Sequence, residues 1–318
     1  MQIKKAIDKV PGGIMVIPLL LGAVINTFFP QLLAIGGFTT AMFKQGSLPI
    51  LGVFMFCMGS QMSLKVAPKS FKKGAVLTVA KCGIGTIIGL AVGKIFGSAG
   101  IWGLTPLAII AAMTNTNSGL FVALTEQYGD ESDVGAVAVL SLNNGPFFTM
   151  LVLGASGLVA VPITAFLAVL APIVLGMILG SLDGEIRKFL ASGQKLLIPF
   201  FAFPLGAGMN LTSIVKAGLP GVLLGVLTAV LTGFGGYFAL KAIGEKRPIA
   251  AFANGSTGGN SVGTPVAIAA VDKSLAPILG VATAQIAASC IISAFLCPVI
   301  MVLMNKHLGK KKMANLAA

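Results

Sequence analysis

Apolar runs of roughly 18 residues or more recur from one end of this chain to the other, and a run of that length is what a bilayer core asks of a helix. Ten can be drawn in the 318 residues: 13–29, 47–64, 74–96, 104–127, 134–153, 162–181, 195–211, 218–240, 248–271 and 278–304. A soluble domain would have to bury all of them in one core. It would also carry about 25% charged residues, whereas this chain is 10% charged and 56% hydrophobic. The expected fold class is an all-α polytopic membrane protein with ten transmembrane helices, its surroundings the lipid bilayer. The linkers are too short for a separate soluble domain. The first run follows a charged start, "MQIKKAIDKVPGG", but contains Pro18 and Asn26 and lacks a small-x-small cleavage pattern. It reads as a retained span rather than a signal peptide.

A net charge of +13 invites a nucleic-acid reading, and position rejects it. The basic residues lie between apolar runs and at the chain ends, with no aromatic-interleaved basic patch, so no nucleic-acid partner is expected. Counted by loop they set an orientation. With the N-terminus in the cytoplasm, 17 of the 22 Lys and Arg fall inside, Lys44, Lys94, Lys216 and Lys273 fall outside, and Lys81 alone lies within a run. Ten spans with both termini cytoplasmic follow. Four cysteines sit in the runs without CxxC spacing, and the single histidine, His307, is in the tail, so neither a metal site nor a cofactor is expected.

The runs repeat as a set. "LPILGVFMFCMGSQMSL" (48–64) and "IPFFAFPLGAGMNLTSI" (198–214) both start at a proline and end in G-x-x-M-x-L, Gly59 to Leu64 against Gly206 to Leu211. A long Gly-rich run follows each, then Thr105–Pro106 or Arg247–Pro248, then a polar stretch with Asn117–Ser118 opposite Asn260–Ser261. The halves, 13–158 and 159–305, therefore read as two copies of a five-span unit. An odd span number makes the second copy enter the membrane inverted.

The polar stretches, "MTNTNSGLF" (113–121) and "ANGSTGGNSVGTP" (253–265), fall in spans 4 and 9, at equivalent places in the two copies. Gly and Asn are poor helix formers, and Ser and Thr compete for backbone hydrogen bonds. Unwound backbone at membrane depth survives only when buried in protein or lining a cavity. Two discontinuous helices, 4 and 9, crossing near the midplane are expected. The alternative is that the small residues merely permit close packing. On the crossing reading the substrate-binding residues are Asn115, Thr116, Asn117 and Ser118 with Thr257, Gly258, Asn260 and Ser261. Span 5 adds Asn143 from "SLNNGP", and Pro265 is expected to terminate or kink the second helix. Lys81 either snorkels to the cytoplasmic surface or faces the interior, pairing with a substrate carboxylate or giving up its proton. Candidates for the coupling ion are Lys81, Thr114, Asn144, Asn254 and Gln285. No Asp or Glu sits deep in any run, and the residues leave proton and sodium coupling both open.

The opening segment, "FMFCMGSQMSL", "LIPFFAFPLGAGMNLT" and "AAMTNTNSGLF" together resemble the 2-keto-3-deoxygluconate permease family over essentially the whole chain. The resemblance implies a bacterial inner-membrane carrier for that small sugar-acid monocarboxylate, with proton rather than sodium as coupling ion. It also implies distant kinship to bile-acid symporters and sodium/proton antiporters, with ten helices in inverted repeats. Spans 3–5 and 8–10 would form a core, and spans 1, 2, 6 and 7 a panel against which it moves. The rivals are a sodium-coupled carrier of another small organic anion on the same fold, an ion antiporter, and a channel. A membrane enzyme lacks paired catalytic side chains at depth, and a primary pump lacks a GxxxxGK[ST] loop.

Overall fold

A computed structural model gives the fold. It describes residues 2–8, 13–62, 68–143, 145–157, 162–208 and 211–316, and among these the only strand-like feature is one bridge between Ile101 and Leu104. Helices α1 (Ile3–Asp8) and α2 (Gly13–Phe28) lead into α3 (Gly37–Phe43), α4 (Ser47–Gly59) and the long α5 (Pro68–Phe96). Five short helices follow: α6 (Pro106–Thr114), α7 (Ser118–Tyr128), α8 (Glu131–Gly135), α9 (Val137–Leu140) and α10 (Phe147–Ala155). Then come α11 (Ile163–Leu182), α12 (Gly184–Ala207) and α13 (Leu211–Leu227), the last continued through a π turn into α14 (Gly233–Ala242). Finally α15 (Ala250–Ala253) and α16 (Thr264–Ala269) flank a 3-10 turn, Gly259–Gly263, before α17 (Leu279–Leu316).

The described residues of each of the ten apolar runs lie mainly in one helix or in a series of short ones. Among the described residues, by length and apolar character alone, four segments can cross a membrane, or seven if three sharply bent pairs each count as one span. The helices therefore build a multi-pass membrane protein. Helix α12 starts at Gly184 rather than at 195, because Asp183 caps it, its carboxylate accepting the Glu185 N–H at 2.7 Å.

Two helix pairs pack with the backbones nearly touching. In α2 on α12, Gly22 lies against the Phe203 carbonyl and Gly206 against the Leu19 carbonyl. In α11 on α4, Gly176 lies against the Phe56 carbonyl and Gly59 against the Ile173 carbonyl. The sets match one for one, Leu19 and Gly22 with Ile173 and Gly176, Phe56 and Gly59 with Phe203 and Gly206. Pro18 and Pro172, each just before its set, both lie inside their helices. Any Cβ at these four glycines would strike backbone, which is why small residues stand there.

Helix α5 shows the opposite use of glycine, as one stripe of a two-faced helix. Lys73, Leu77, Lys81, Gly85, Gly89 and Gly93, every fourth residue, are buried. Val79, Ile87 and Ile95 on the other side are 70–71% exposed, the composition of a face turned to lipid. Gly85 and Gly89 let α6 settle onto this stripe at Met113 and Ile110. Lys81 thus lies on the protein-facing side, and it does not snorkel.

Candidate functional site

The first polar stretch breaks its helix where its side chains can replace backbone partners. Helix α6 starts at a Thr105 cap whose hydroxyl accepts the Ala108 N–H at 3.2 Å, with Pro106 in its first turn. It stops at Asn115, which is extended at φ −100° and ψ 144°. Asn117 then caps α7, its side chain accepting the Leu120 N–H at 3.1 Å, and the two helices bend by 41°. The second stretch is interrupted for longer. Helix α15 ends at Asn254, and the chain is non-helical through Gly258 before the 3-10 turn. Pro265 corrects the expectation set for it. It stands in the first turn of α16, where its missing N–H costs nothing, so it begins a helix rather than ending one.

The two interruptions touch. Thr116 Oγ1 donates to Asn254 Oδ1 at 2.8 Å. A Cβ on Gly258 would lie 2.8 Å from the Thr116 carbonyl oxygen, so only glycine allows this approach. Span 5 supplies a third interruption at the same place. Asn143 Nδ2 donates to Thr116 Oγ1 at 3.3 Å, and the Gly145 N–H donates to Asn115 Oδ1 at 2.8 Å. Gly145 holds φ +93°, which other residues rarely adopt. From α17, Ser293 Oγ accepts the Thr257 N–H at 2.9 Å, and Ser289 Oγ lies 2.7 Å from Thr257 Oγ1.

A cavity of about 570 Å³ opens onto this crossing. Thr116, Asn117, Ser118 and Asn260 line one side, and Met15 of α2, Phe54 and Met58 of α4 and Ile198 of α12 line the other. The exposed side chains of Lys4 and Lys195, with Gln194, complete it. Among the described residues two buried polar atoms at the crossing have no partner, Asn260 Nδ2 of the cavity lining and Asn143 Oδ1 behind it. Amide donors, hydroxyls and two ammonium groups make a wall suited to a hydroxylated anion.

The other expected site residues stand behind that wall. Asn115 is spent on the Gly145 N–H and, through Nδ2, on the Ala111 carbonyl at 3.1 Å. Thr257, Gly258 and Ser261 hold the second interruption in shape, Ser261 Oγ donating to the Gly258 carbonyl at 2.5 Å. Thr114 Oγ1 lies 3.3 Å from Thr149 Oγ1. Asn254 reaches back to the Leu77 carbonyl at 3.3 Å. Gln285 is committed elsewhere: Oε1 accepts from the N–H and hydroxyl of Thr105, and Nε2 donates to the Gly103 carbonyl, so it fixes the start of α6. Asn144 lies outside the described residues. Lys81 is fully buried and is not on the cavity wall; Nζ donates to the carbonyls of Asn254 at 2.5 Å and Ser256 at 2.7 Å.

Sequence reasoning missed Lys4, Gln194 and Lys195 as cavity residues. The lysines had been used only to orient spans. The N-cap Asp183, which places Lys195 well inside α12, was the available signal. A second charged group lies away from the cavity. Lys73 Nζ contacts Asp133 at 2.5 Å, Glu245 at 3.3 Å and Asp130 at 3.4 Å, joining α5, the start of α8 and the α14–α15 linker. Burial pushes the Asp130 carboxyl up, but hydrogen bonds from Ser132, the Asp133 N–H and Lys69, with the Lys73 charge, outweigh it and hold it well below the usual carboxylate range.

Interrupted apolar helices meeting at a polar cavity define a multi-pass membrane protein organised around an internal cavity. Its relatives make that class specific. The profile of the 2-keto-3-deoxygluconate permease family matches residues 4–310, and the chain belongs to this family. It is 54% identical over 300 residues to 2-keto-3-deoxygluconate permease 1 of Salmonella typhimurium, covering 94% of each chain. It is 40% identical over 317 residues to the 2-keto-3-deoxygluconate permease of Pectobacterium carotovorum subsp. carotovorum, covering 98% of this chain and 99% of that one. The Bacillus subtilis permease of the same name is 39% identical over 318 residues, covering 98% and 96%. These relatives are transporters, not enzymes.

Proposed function

We propose that this chain imports 2-keto-3-deoxygluconate across the bacterial inner membrane by proton symport with alternating access. The observation that carries the reading is the cavity whose one wall is both interruptions and whose other wall is α2, α4 and α12. The substrate carboxylate is drawn by Lys4 and Lys195, and its hydroxyls meet Asn117, Ser118 and Asn260. The names of the relatives supply the substrate. The chemistry of the wall is compatible with it.

Ten spans arranged as two inverted five-helix repeats, 13–158 and 159–305, fit this cycle. The matched glycine contacts of α2 with α12 and of α11 with α4 support the repeat, since a pseudo-twofold axis turns one pair into the other. Both termini are cytoplasmic on the lysine and arginine distribution, which places the mouth near Lys4 and Lys195 on that side. Uptake of labelled 2-keto-3-deoxygluconate into proteoliposomes, with proton and sodium gradients imposed separately, tests the proposal. Accumulation driven by the proton gradient alone is the expected result. Accumulation under neither gradient, or only under sodium, overturns the coupling.

A further inference from the structure

Lys81 is a basic side chain held by backbone carbonyls alone. Its ammonium, fully buried, meets Asn254 O and Ser256 O. No Asp or Glu lies within ion-pair distance among the described residues. The other groups facing it are the thiols of Cys82 on its own helix and of Cys290 and Cys297 on α17. Both carbonyls belong to the unwound turn of the second interruption, and Asn254 caps the end of α15, where helix carbonyls are left without N–H partners. Free carbonyls at an unwound membrane helix are the ligands an alkali cation uses in carriers, and hard cations prefer oxygen.

We propose that the Lys81 ammonium is a tethered stand-in for a sodium ion: it fills the carbonyl cage at Asn254 and Ser256, so the protein needs no sodium there, and removing the side chain uncovers a monovalent-cation site. The side chain reaches the cage from α5, so the cation also pins the second interruption to the α5 stripe. Asn254 Nδ2 reinforces that junction by donating to Leu77 O, one turn before Lys81. The cage and the cavity adjoin through Asn254 and Thr116, so its filling bears on the site.

The test compares wild type, Lys81→Ala and Lys81→Met, purified in detergent, by thermal unfolding in sodium chloride and in choline chloride. Ligand binding to the folded state raises the midpoint by mass action. Wild type is expected to melt at one temperature in both salts. Lys81→Ala melts lower in choline and recovers by about 1–2 °C in sodium, saturably. Lys81→Met, which refills the space without charge, shows no sodium response. A Lys81→Ala protein that melts alike in both salts, or that folds in neither, overturns the proposal.

A transport arm rests on the carrier reading above. Wild-type uptake proceeds equally in sodium and in choline, and Lys81→Ala uptake returns only in sodium. A wild-type requirement for sodium overturns the inference. Absence of wild-type uptake under every condition would instead remove the carrier reading, while the melting comparison still decides the cation site.

Discussion

Asn260 lines the cavity, and among the described residues its buried Nδ2 has no protein partner, so on the carrier reading a substrate hydroxyl is the group that would complete it. A hydrogen bond to a neutral hydroxyl contributes about 0.5–1.5 kcal/mol. Asn260→Ala should therefore raise KM for uptake by roughly two- to tenfold with the melting temperature unchanged. Loss of stability without a change in KM would show a packing role instead. Lys195 acts differently, because its side chain is exposed and its field is screened. Lys195→Gln should lower uptake at low ionic strength by a few-fold, and the difference from wild type should fade as salt rises toward roughly 0.5 M. An effect independent of salt would mean a direct contact rather than attraction at a distance.

At the scale of elements, the crossing depends on one missing methyl. Gly258→Ala puts a Cβ into the Thr116 carbonyl, and moving either backbone disturbs the Asn117 cap of α7 or the bond from the Ser261 hydroxyl to the Gly258 carbonyl. Overpacking of this kind costs about 1–3 kcal/mol, so the melting midpoint and uptake should both fall. Gly259→Ala next to it meets nothing within 4 Å and serves as the control that leaves the melting midpoint unchanged. Asp130, which caps α8 in its capping box with Asp133, gives a pH signature. A carboxylate held below its ordinary value stabilises the fold fully above its unfolded pKa of about 3.9 and loses that contribution as pH falls through the folded value. The gap in melting temperature between wild type and Asp130→Asn should stay constant from about pH 5 to 8 and narrow only below about pH 4.

How far such elements could be read from sequence depended on whether a local rule set them. The interruption at Asn115–Asn117 was legible because Asn and Thr offer the backbone other partners. The interior side of α5 was legible in principle from Gly85, Gly89 and Gly93, which put Lys81 on the buried stripe. The role of Pro265 was misread, since a proline ends or starts a helix according to which side is already unwound, and that is a tertiary fact. The cavity wall at Phe54 and Met58 was not legible, because it depends on which helices face the crossing.

For the whole molecule, the two sides of the crossing are unequal. The cavity near Lys4 and Lys195 measures about 570 Å³, while a second, apolar one of about 230 Å³ lies between α4, α11 and the segment around α16, near Leu48, Pro146, Ala267 and Val271. Between them Leu51 and Met55 of α4 seat against glycines of the interrupted segments. A Cβ on Gly263 would lie 2.8 Å from Leu51 Cδ2, and one on Gly145 would lie 2.9 Å from Met55 Sδ. On the alternating-access reading these two contacts are the closed outer gate, and the structure corresponds to the inward-open state. Gly263 is the place to pry it apart, because its φ of −80° suits any residue, whereas Gly145 would add strain. Gly263→Leu should shift the population toward outward-open by whatever the lost seat contributed to closure. In that background Ala267→Cys, on the smaller cavity, should react several-fold faster with a membrane-impermeant maleimide added outside than it does with Gly263 intact, while uptake slows and substrate binding persists. Unchanged labelling in a folded, substrate-binding Gly263→Leu protein would mean that α4 does not gate this side, and the moving surface would have to be sought between α11 and α16.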